Sequence, residues 1–98
     1  MKKKMYATIR RYENVSDPAK AAQEVELKFV PFISSLNGFM EYNWIDLGGG
    51  AMLSITVFKT LADAVAANDA ARAWVKDNLG AILPPAARME AGRIVAHK

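Results

Sequence analysis

Few side chains in this sequence combine a reactive type with a spacing that supports chemistry. No pair of carboxylates, no Ser-His-Asp arrangement and no cluster of histidines stands out. The chain has no cysteine, so it has no disulfide, zinc thiolate or thiol nucleophile. The single histidine, His97, falls in an expected flexible tail, where neither a metal ligand nor a general base can be held in position. We therefore predict neither a metal site nor a cofactor.

Arg10 and Glu41 are the polar pair with the clearest chemical use. A guanidinium can stabilise a developing oxyanion, and a carboxylate or a tyrosine can move a proton. Arg10 lies in a segment that alternates between two faces, as a β-strand does. One face of this first strand carries Tyr6, Thr8, Arg10 and Tyr12, and the other carries Met5, Ala7 and Ile9. Whether Arg10 meets Glu41 depends on how the strands pair.

The elements that position these residues follow from capping residues and periodicity. A first helix is expected from Asp17, a good N-cap before Pro18, to about Leu36, with a kink or a tightened last turn at Pro31. Asn-Gly at 37–38 is a strong hairpin signal, but the segment before it has a helical period. Gly38 is therefore predicted to end the helix in the left-handed conformation, with Phe39 folded back onto the last turn.

Two strands and a second helix follow. Strand 2 is predicted over 39–46, a flexible glycine loop over 47–50 and strand 3 over 51–58. Thr60 caps a helix from Leu61 to about Leu79, and a less regular strand 4 is expected over 88–96. This order predicts an α+β, ferredoxin-like βαββαβ fold with an antiparallel sheet in the order 4-1-3-2 and both helices on one face. We predict one domain over 1–98, with flexible tails at 1–4 and 97–98.

The face of each strand decides the candidate site. If the loop closes on Asp46 opposite Ala51, Trp44 and Tyr42 lie opposite Leu53 and Ile55 and pack under the helices. The other face would then be open to a barrel, where Arg10 could reach Glu41 across strand 3. The ligand-pocket candidates on that face are Tyr6, Thr8, Arg10, Glu41, Asn43, Ser54 and Thr56. Lower-ranked candidates are Asn68, Trp74, Tyr42 and Trp44.

The sequence resembles the dimeric α/β-barrel superfamily, and within it the antibiotic-biosynthesis-monooxygenase-like proteins. The resemblance rests on MYATIRRYENVSDP, FVPFISSLNGFMEYNWID, MLSITVFKTLADAVAAN and AARAWVKDNL, in the family's order. It implies that two sheets pair face to face in a homodimer. It also implies, for the members that oxidise phenols, an Asn and a Trp one helical turn apart. Here Asn68 and Trp74 are six residues apart, about 120° around the helix, so they do not form that pair.

Two functions are compatible with the sequence, which does not decide whether the protein is an enzyme. The chain is expected to bind a small, partly apolar molecule in the barrel cavity; the alternative is a cofactor-independent monooxygenase acting on a phenolic, polyketide-like substrate. Three lysines at 2–4 account for the net charge of +3, so no nucleic-acid surface is predicted. The sequence has neither a membrane-length apolar run nor a signal peptide, and a cytoplasmic location is expected.

Overall fold

The computed structural model describes residues 4–98 and contains one four-stranded antiparallel sheet. Its strands are β1 (Tyr6–Tyr12), β2 (Phe39–Gly48), β3 (Ala51–Phe58) and β4 (Arg88–Arg93). They lie in the order β2-β3-β1-β4, so the predicted ferredoxin-like topology is confirmed. Strand β4 ends three residues earlier than expected, and the predicted tail at 1–4 lies mostly outside the described residues.

The first helical region begins as predicted but has a different interior. Asp17 caps α1 (Pro18–Glu24), and its Oδ1 accepts a hydrogen bond from the Lys20 backbone N–H at 3.1 Å. A π-helical segment (Val25–Phe29) joins α1 to α2 (Val30–Ser34). The expected irregularity therefore precedes Pro31, which lies in the first turn of α2, where its missing N–H costs little. Short π-helical segments within α-helices are frequently found at functional sites.

Gly38 has the predicted left-handed conformation, with φ at +76°. The Phe39 backbone N–H donates to the Leu36 carbonyl at 3.2 Å, which closes the end of this region as expected. A Cβ at position 38 would also meet the Asp63 carboxylate, which would have to turn aside, so the main reason for glycine here is the backbone geometry.

The hairpin between β2 and β3 differs from the prediction by one residue. Gly48 pairs with Ala51, and a bulge at Leu47 then brings Asp46 opposite Met52. The predicted closure of Asp46 on Ala51 is therefore wrong. Because of this shift, Trp44 lies opposite Ser54. Tyr42 lies opposite Thr56 for the same reason.

Helix α3 (Leu61–Leu79) has the bounds that the sequence predicts. The Thr60 hydroxyl accepts a hydrogen bond from the Asp63 backbone N–H at 3.0 Å, as expected of an N-cap. The side that faces the sheet is buried and consists of Ala64, Ala67, Ala71, Val75 and Leu79. Four small or medium side chains in this stripe let the helix lie close to the strands.

The two faces of β1 and β3 have the opposite orientation to the one predicted. The fully buried core joins Tyr12, Met52 and Phe58 of the sheet to helical residues such as Phe29 and Ile33. Since side chains alternate, the helix-facing set also includes Thr8, Arg10, Ser54 and Thr56. The prediction that Leu53 and Ile55 lie under the helices is therefore wrong. Their side chains share the open face of the sheet with Ala7, Ile9 and Val57, of which Val57 is only 7% exposed.

Candidate functional site

Six helix-facing side chains of the sheet form two parallel rows across β2, β3 and β1. We call them the polar grid: Tyr42, Thr56 and Thr8 in one row, and Trp44, Ser54 and Arg10 in the next. The strand pairing places the three members of each row side by side, because residues directly opposite one another share a face.

Every member of the polar grid buries a polar atom that has no protein partner at hydrogen-bond distance and angle, although Ser54 and Arg10 lie close enough to the Tyr42 phenol to lower its pKa. The atoms are Thr8 Oγ1, Arg10 Nε, Tyr42 Oη, Trp44 Nε1, Ser54 Oγ and Thr56 Oγ1. A buried donor or acceptor without a partner costs about 1–3 kcal/mol. Native interiors seldom retain such groups, and several in one patch call for an explanation. A site that receives a hydrogen-bonding molecule is one such explanation.

Arg10 is the most costly member of the polar grid. Its side chain is 1% exposed, and its guanidinium carbon lies 5.3 Å from the centre of the Phe29 ring. Its Nη1 donates a long hydrogen bond of 3.4 Å to Asn68 Oδ1. Among the described residues no carboxylate lies within ion-pair distance of it. A guanidinium remains protonated, so this is a buried positive charge with one amide acceptor and an aromatic face.

Aromatic rings from the helices enclose the polar grid. Phe29, supplied by the π-helical segment, lies 5.5 Å from the Tyr42 ring and 5.3 Å from the Trp74 ring, centre to centre. Phe32 stacks on Trp74 at 5.2 Å with an interplanar angle of 16°. The grid therefore lies beneath a wall of packed aromatic rings.

Burial sets the protonation of Tyr42. Loss of solvent raises the pKa of its phenol well above the ordinary value, and the nearby positive charge of Arg10 only partly opposes this. The phenol is therefore neutral at physiological pH, so Tyr42 can donate a hydrogen bond but cannot serve as a phenolate base there.

A cavity of about 770 Å³ lies between α3, β1, β4 and the loop at 80–87. Arg10 and Tyr12 border it on the sheet side, and Arg72 and Lys76 border it on α3. The remaining lining is largely apolar and consists of Val75, Gly80, Leu83, Pro84, Pro85, Ala86 and Met89. Its volume lies in the usual range of about 300–1,000 Å³ for small-molecule sites. Arg10 thus connects the cavity with the polar grid.

The structure brings together most of the candidate residues but excludes two. Thr8, Arg10, Ser54 and Thr56 lie in the polar grid, and Tyr6 packs against the core on the same face. Glu41 and Asn43 lie on the open face, where the Asn43 amide donates to Glu41 Oε2 at 3.1 Å. The expected approach of Arg10 to Glu41 is therefore wrong, because the two side chains point to opposite sides of the sheet.

The four lower-ranked candidates all lie on the helix-facing side. Tyr42 and Trp44 pack under the helices, as predicted. Asn68 and Trp74 lie about 60° to either side of Ala71 on α3, so both flank the buried stripe. Asn68 contacts Arg10 and Trp74 contacts Phe29, which joins the two flanks through one cluster.

Sequence reasoning missed Phe29, Arg72 and Lys76. Phe29 lies in the π-helical segment, and only the fold shows that it contacts Arg10. Arg72 and Lys76 are four residues apart on α3, a spacing that places two cations on one helix face. That signal was available in the sequence, but only the fold shows that this face borders a cavity.

The described residues contain neither a candidate metal site nor a candidate membrane-spanning helix. Within residues 4–98 no group of three or more His, Asp or Glu side chains could hold a metal ion. None of the helices in that range is both long enough and apolar enough to cross a membrane.

Comparison with known proteins gives structural neighbours. No family model matches the chain, and no curated protein matches it. A protein of unknown function from Nitrosomonas europaea (NE2512) is 19% identical, with a TM-score of 0.74 over 98% of this chain and 94% of its own. A candidate antibiotic biosynthesis monooxygenase from the same organism is 16% identical, with a TM-score of 0.67 over 96% and 91%.

A third neighbour has a described activity. SnoaB, a cofactor-independent oxygenase from Streptomyces nogalater, is 14% identical, with a TM-score of 0.61 over 99% of this chain and 96% of its own. At such identities the likeness concerns the fold. The predicted resemblance to antibiotic-biosynthesis-monooxygenase-like proteins is confirmed at that level: the chain has their ferredoxin-like fold.

Proposed function

We propose that this protein binds a small, partly apolar molecule between its helices and its sheet, in the cavity that Arg10 borders. The observation that carries the proposal is the buried charge of Arg10, the one member of the polar grid that lines the cavity, which has no carboxylate partner among the described residues. A ligand with an oxygen or nitrogen atom would bond to this guanidinium, and its apolar body would lie against Val75, Leu83 and Pro84. The site is therefore on the helix-facing side of the sheet, not on the barrel side that the sequence suggested.

Filling the cavity tests this proposal. The neutral dye N-phenyl-1-naphthylamine becomes fluorescent in apolar sites and reports occupancy directly. Ala86→Phe adds a ring to the lining, and we expect it to weaken dye binding by at least about tenfold by occupying the space. Ala87→Phe is the matched control, because Ala87 is exposed and does not line the cavity. Equal affinities in the two variants would contradict the proposal. The absence of dye binding to the native protein at roughly 100 µM would also contradict it, because a site weaker than this would be of little use for a small apolar ligand.

A homodimer through the open sheet face is the second part of the proposal. That face carries Ala7, Ile9, Leu53, Ile55 and Val57, and no helix of the described residues covers it. Covering β-branched side chains by a second copy would bury apolar area with two-fold symmetry. The Glu41 and Asn43 pair would then lie at the edge of the interface or within it.

Sedimentation velocity tests the dimer. We expect the native protein to sediment as a dimer at micromolar concentration and Ile55→Glu to sediment as a monomer, because a buried unpaired carboxylate is costly. Leu27→Glu is the control, since Leu27 is 65% exposed on the helical side. A native monomer, or a dimer that survives Ile55→Glu, would rule out this interface.

A cofactor-independent monooxygenase remains the alternative function. Its support is the contact between Arg10 and Asn68, which could stabilise a phenolate oxygen, together with the fold shared with SnoaB. Such an enzyme would remove a proton from an anthrone-type carbon, and the carbanion would reduce dioxygen. The carbon would lose two hydrogens and gain a carbonyl oxygen, and the second oxygen atom would leave as water.

This alternative also needs a base, which neither Tyr42 nor Glu41 supplies. Tyr42 is held neutral by burial, and the carboxylate of Glu41 lies on the other face of the sheet. Ligand binding without turnover is therefore the primary proposal. Incubation with an anthrone under air separates the two functions: quinone formation above the buffer rate that is lost in Arg10→Ala would favour the enzyme, and a rate equal to buffer would exclude this activity.

A further inference from the structure

The cavity is lined by three cations and by no acidic side chain. Arg10 lies at its buried end, and Arg72 and Lys76 lie on the exposed side of α3. The whole chain has 13 basic and 10 acidic residues, so an uncompensated group of three is a local feature and not a consequence of net charge. A concave site bordered by one sign of charge concentrates ions of the opposite sign.

The three cations have no carboxylate partner elsewhere in the described structure. The ion pairs there use Arg11, Lys28 and Arg88 instead. Asp69 and Asp77 also lie on α3, but neither lines the cavity nor comes within 4.0 Å of a basic group.

Two of the three cations also repel each other. Arg72 and Lys76 are one helical turn apart, and like charges at this spacing mildly destabilise a helix. The Arg72 guanidinium reaches across to Met89 of β4, with Nη2 at 3.4 Å from Sδ, so it lies over the cavity and not along α3. Two repelling cations directed at one cavity are accounted for if an anion lies between them.

The rest of the lining defines the other half of the ligand. Leu83 is buried, and Pro84 and Pro85 add rigid apolar rings next to Val75 and Met89. Such walls suit a flat apolar body more than a sugar or a free inorganic anion.

We propose that the ligand of this cavity is a small organic acid, with a flat apolar body against the Pro84-Pro85 wall and a carboxylate between Arg72 and Lys76. This rests on the proposed binding function and adds the class of the ligand. Arg10, at the deep end, would receive a second polar atom of the same molecule.

Two dyes with the same aromatic body test the charge preference. The anion 1-anilinonaphthalene-8-sulfonate differs from N-phenyl-1-naphthylamine by its sulfonate. In the double variant Arg72→Gln/Lys76→Gln we expect the affinity for the anionic dye to fall by about five- to tenfold, as two partly screened ion pairs are lost, and that for the neutral dye to stay within about twofold. Added salt should weaken binding of the anionic dye only.

Matched variants and competitors complete the experiment. Lys20→Gln/Lys59→Gln removes the same charge from exposed positions outside the cavity and should leave both affinities unchanged. Unlabelled 2-naphthoate should displace the anionic dye at a concentration about tenfold lower than 2-naphthamide, since only the acid can pair with both cations.

The outcomes separate this inference from the binding function. In one outcome the neutral dye binds and Ala86→Phe excludes it, but the binding of the anionic dye and of 2-naphthoate does not depend on Arg72 and Lys76. The ligand is then not an acid, so the inference is wrong while the binding function stands. If neither dye binds in a manner sensitive to Ala86→Phe, both are wrong. An equal loss in the Lys20 and Lys59 control would assign the effect to net charge and would also overturn the inference.

Discussion

Thr56→Val should stabilise this protein, although it removes a polar group from the centre of the sheet. Thr56 is fully buried on β3, between Tyr42 and Thr8, and its hydroxyl has no protein partner. Valine has the same shape and is equally suited to a strand. The substitution removes a desolvated hydroxyl, which costs about 1–3 kcal/mol, and adds apolar burial worth at most about 0.8 kcal/mol. The gain in stability is smaller if the Thr56 hydroxyl forms a transient hydrogen bond in the native protein. We expect the free energy of unfolding to rise by about 1–2 kcal/mol.

Thermal and urea unfolding of matched variants would measure this effect. For a chain of this size about 1 kcal/mol corresponds to about 4–8 °C in Tm, so the rise should be easily resolved. Protein concentration must be the same in all samples, because association with a second copy would add to the apparent stability. Thr60→Val is the control. It removes the same hydroxyl from the N-cap of α3, where it accepts the Asp63 N–H, and should cost about 1 kcal/mol.

The two substitutions should therefore change stability in opposite directions. A stability of Thr56→Val equal to or below that of the native protein would refute the reasoning, because it would mean that the hydroxyl is well bonded in the folded state. A stabilised Thr56→Val that also binds the neutral dye less tightly would identify the hydroxyl as one kept for a ligand at the expense of stability.

Three further predictions concern single positions. Gly38→Ala should lower the free energy of unfolding by more than about 1 kcal/mol, because φ is +76° and the new Cβ meets Asp63. Urea unfolding identical to that of the native protein would contradict the role of Gly38 as the helix C-cap. Asp17→Ala should lower the free energy of unfolding by about 1 kcal/mol, because the hydrogen bond from the Lys20 N–H is lost. Thermal unfolding measures this effect, and an unchanged Tm would contradict it. For Tyr42, burial raises the pKa in the folded state above the 10.0 of the unfolded chain, so its contribution to stability is present below pH 10 and is lost as pH rises further. Tyr42→Phe should therefore reduce the alkaline loss of stability in urea titrations above pH 10, and identical pH slopes would show that Tyr42 ionises normally.

The sequence was sufficient to predict the elements and their order, because local signals determine both. The Thr60 cap and the alanine stripe define α3 to the residue, and Asp17-Pro18 defines the start of α1. Gly38 could be assigned to a helix end and not to a hairpin because the period of the preceding segment is helical. The π-helical segment could not be recognised from the helical period. One inserted residue rotates the apolar stripe of the helix by less than the width of that stripe.

The faces of the strands could not be predicted in the same way. On β1 and β3 both alternating sets are mixtures, and the more apolar one was assigned to the helices. The structure places that set, including Ile9 and Leu53, on the open face. A pattern of period two states which residues share a face and leaves open which face meets the helices. The bulge at Leu47, which the sequence did not predict, shifts the pairing of β2 with β3 by one residue. Tyr42 and Trp44 were therefore correctly assigned to the helix-facing side, but their predicted partners on β3 were wrong.

The inverted faces also connect the two proposals. A chain that buries its more polar strand face under its own helices, and leaves β-branched side chains such as Ile9 and Ile55 on the other, is poorly arranged as an isolated monomer with an inert core. Both anomalies are reduced together if the open face is covered by a second copy and a ligand in the cavity bonds to Arg10. Arg10 distinguishes this account from simple misfit: a charge that served no purpose could be replaced by a Met or Leu of similar volume at a gain in stability. Arg10→Met should therefore be at least as stable as the native protein and should bind both the anionic and the neutral dye differently from it. An unstable Arg10→Met with unchanged dye binding would instead mean that the guanidinium holds the fold and not the ligand.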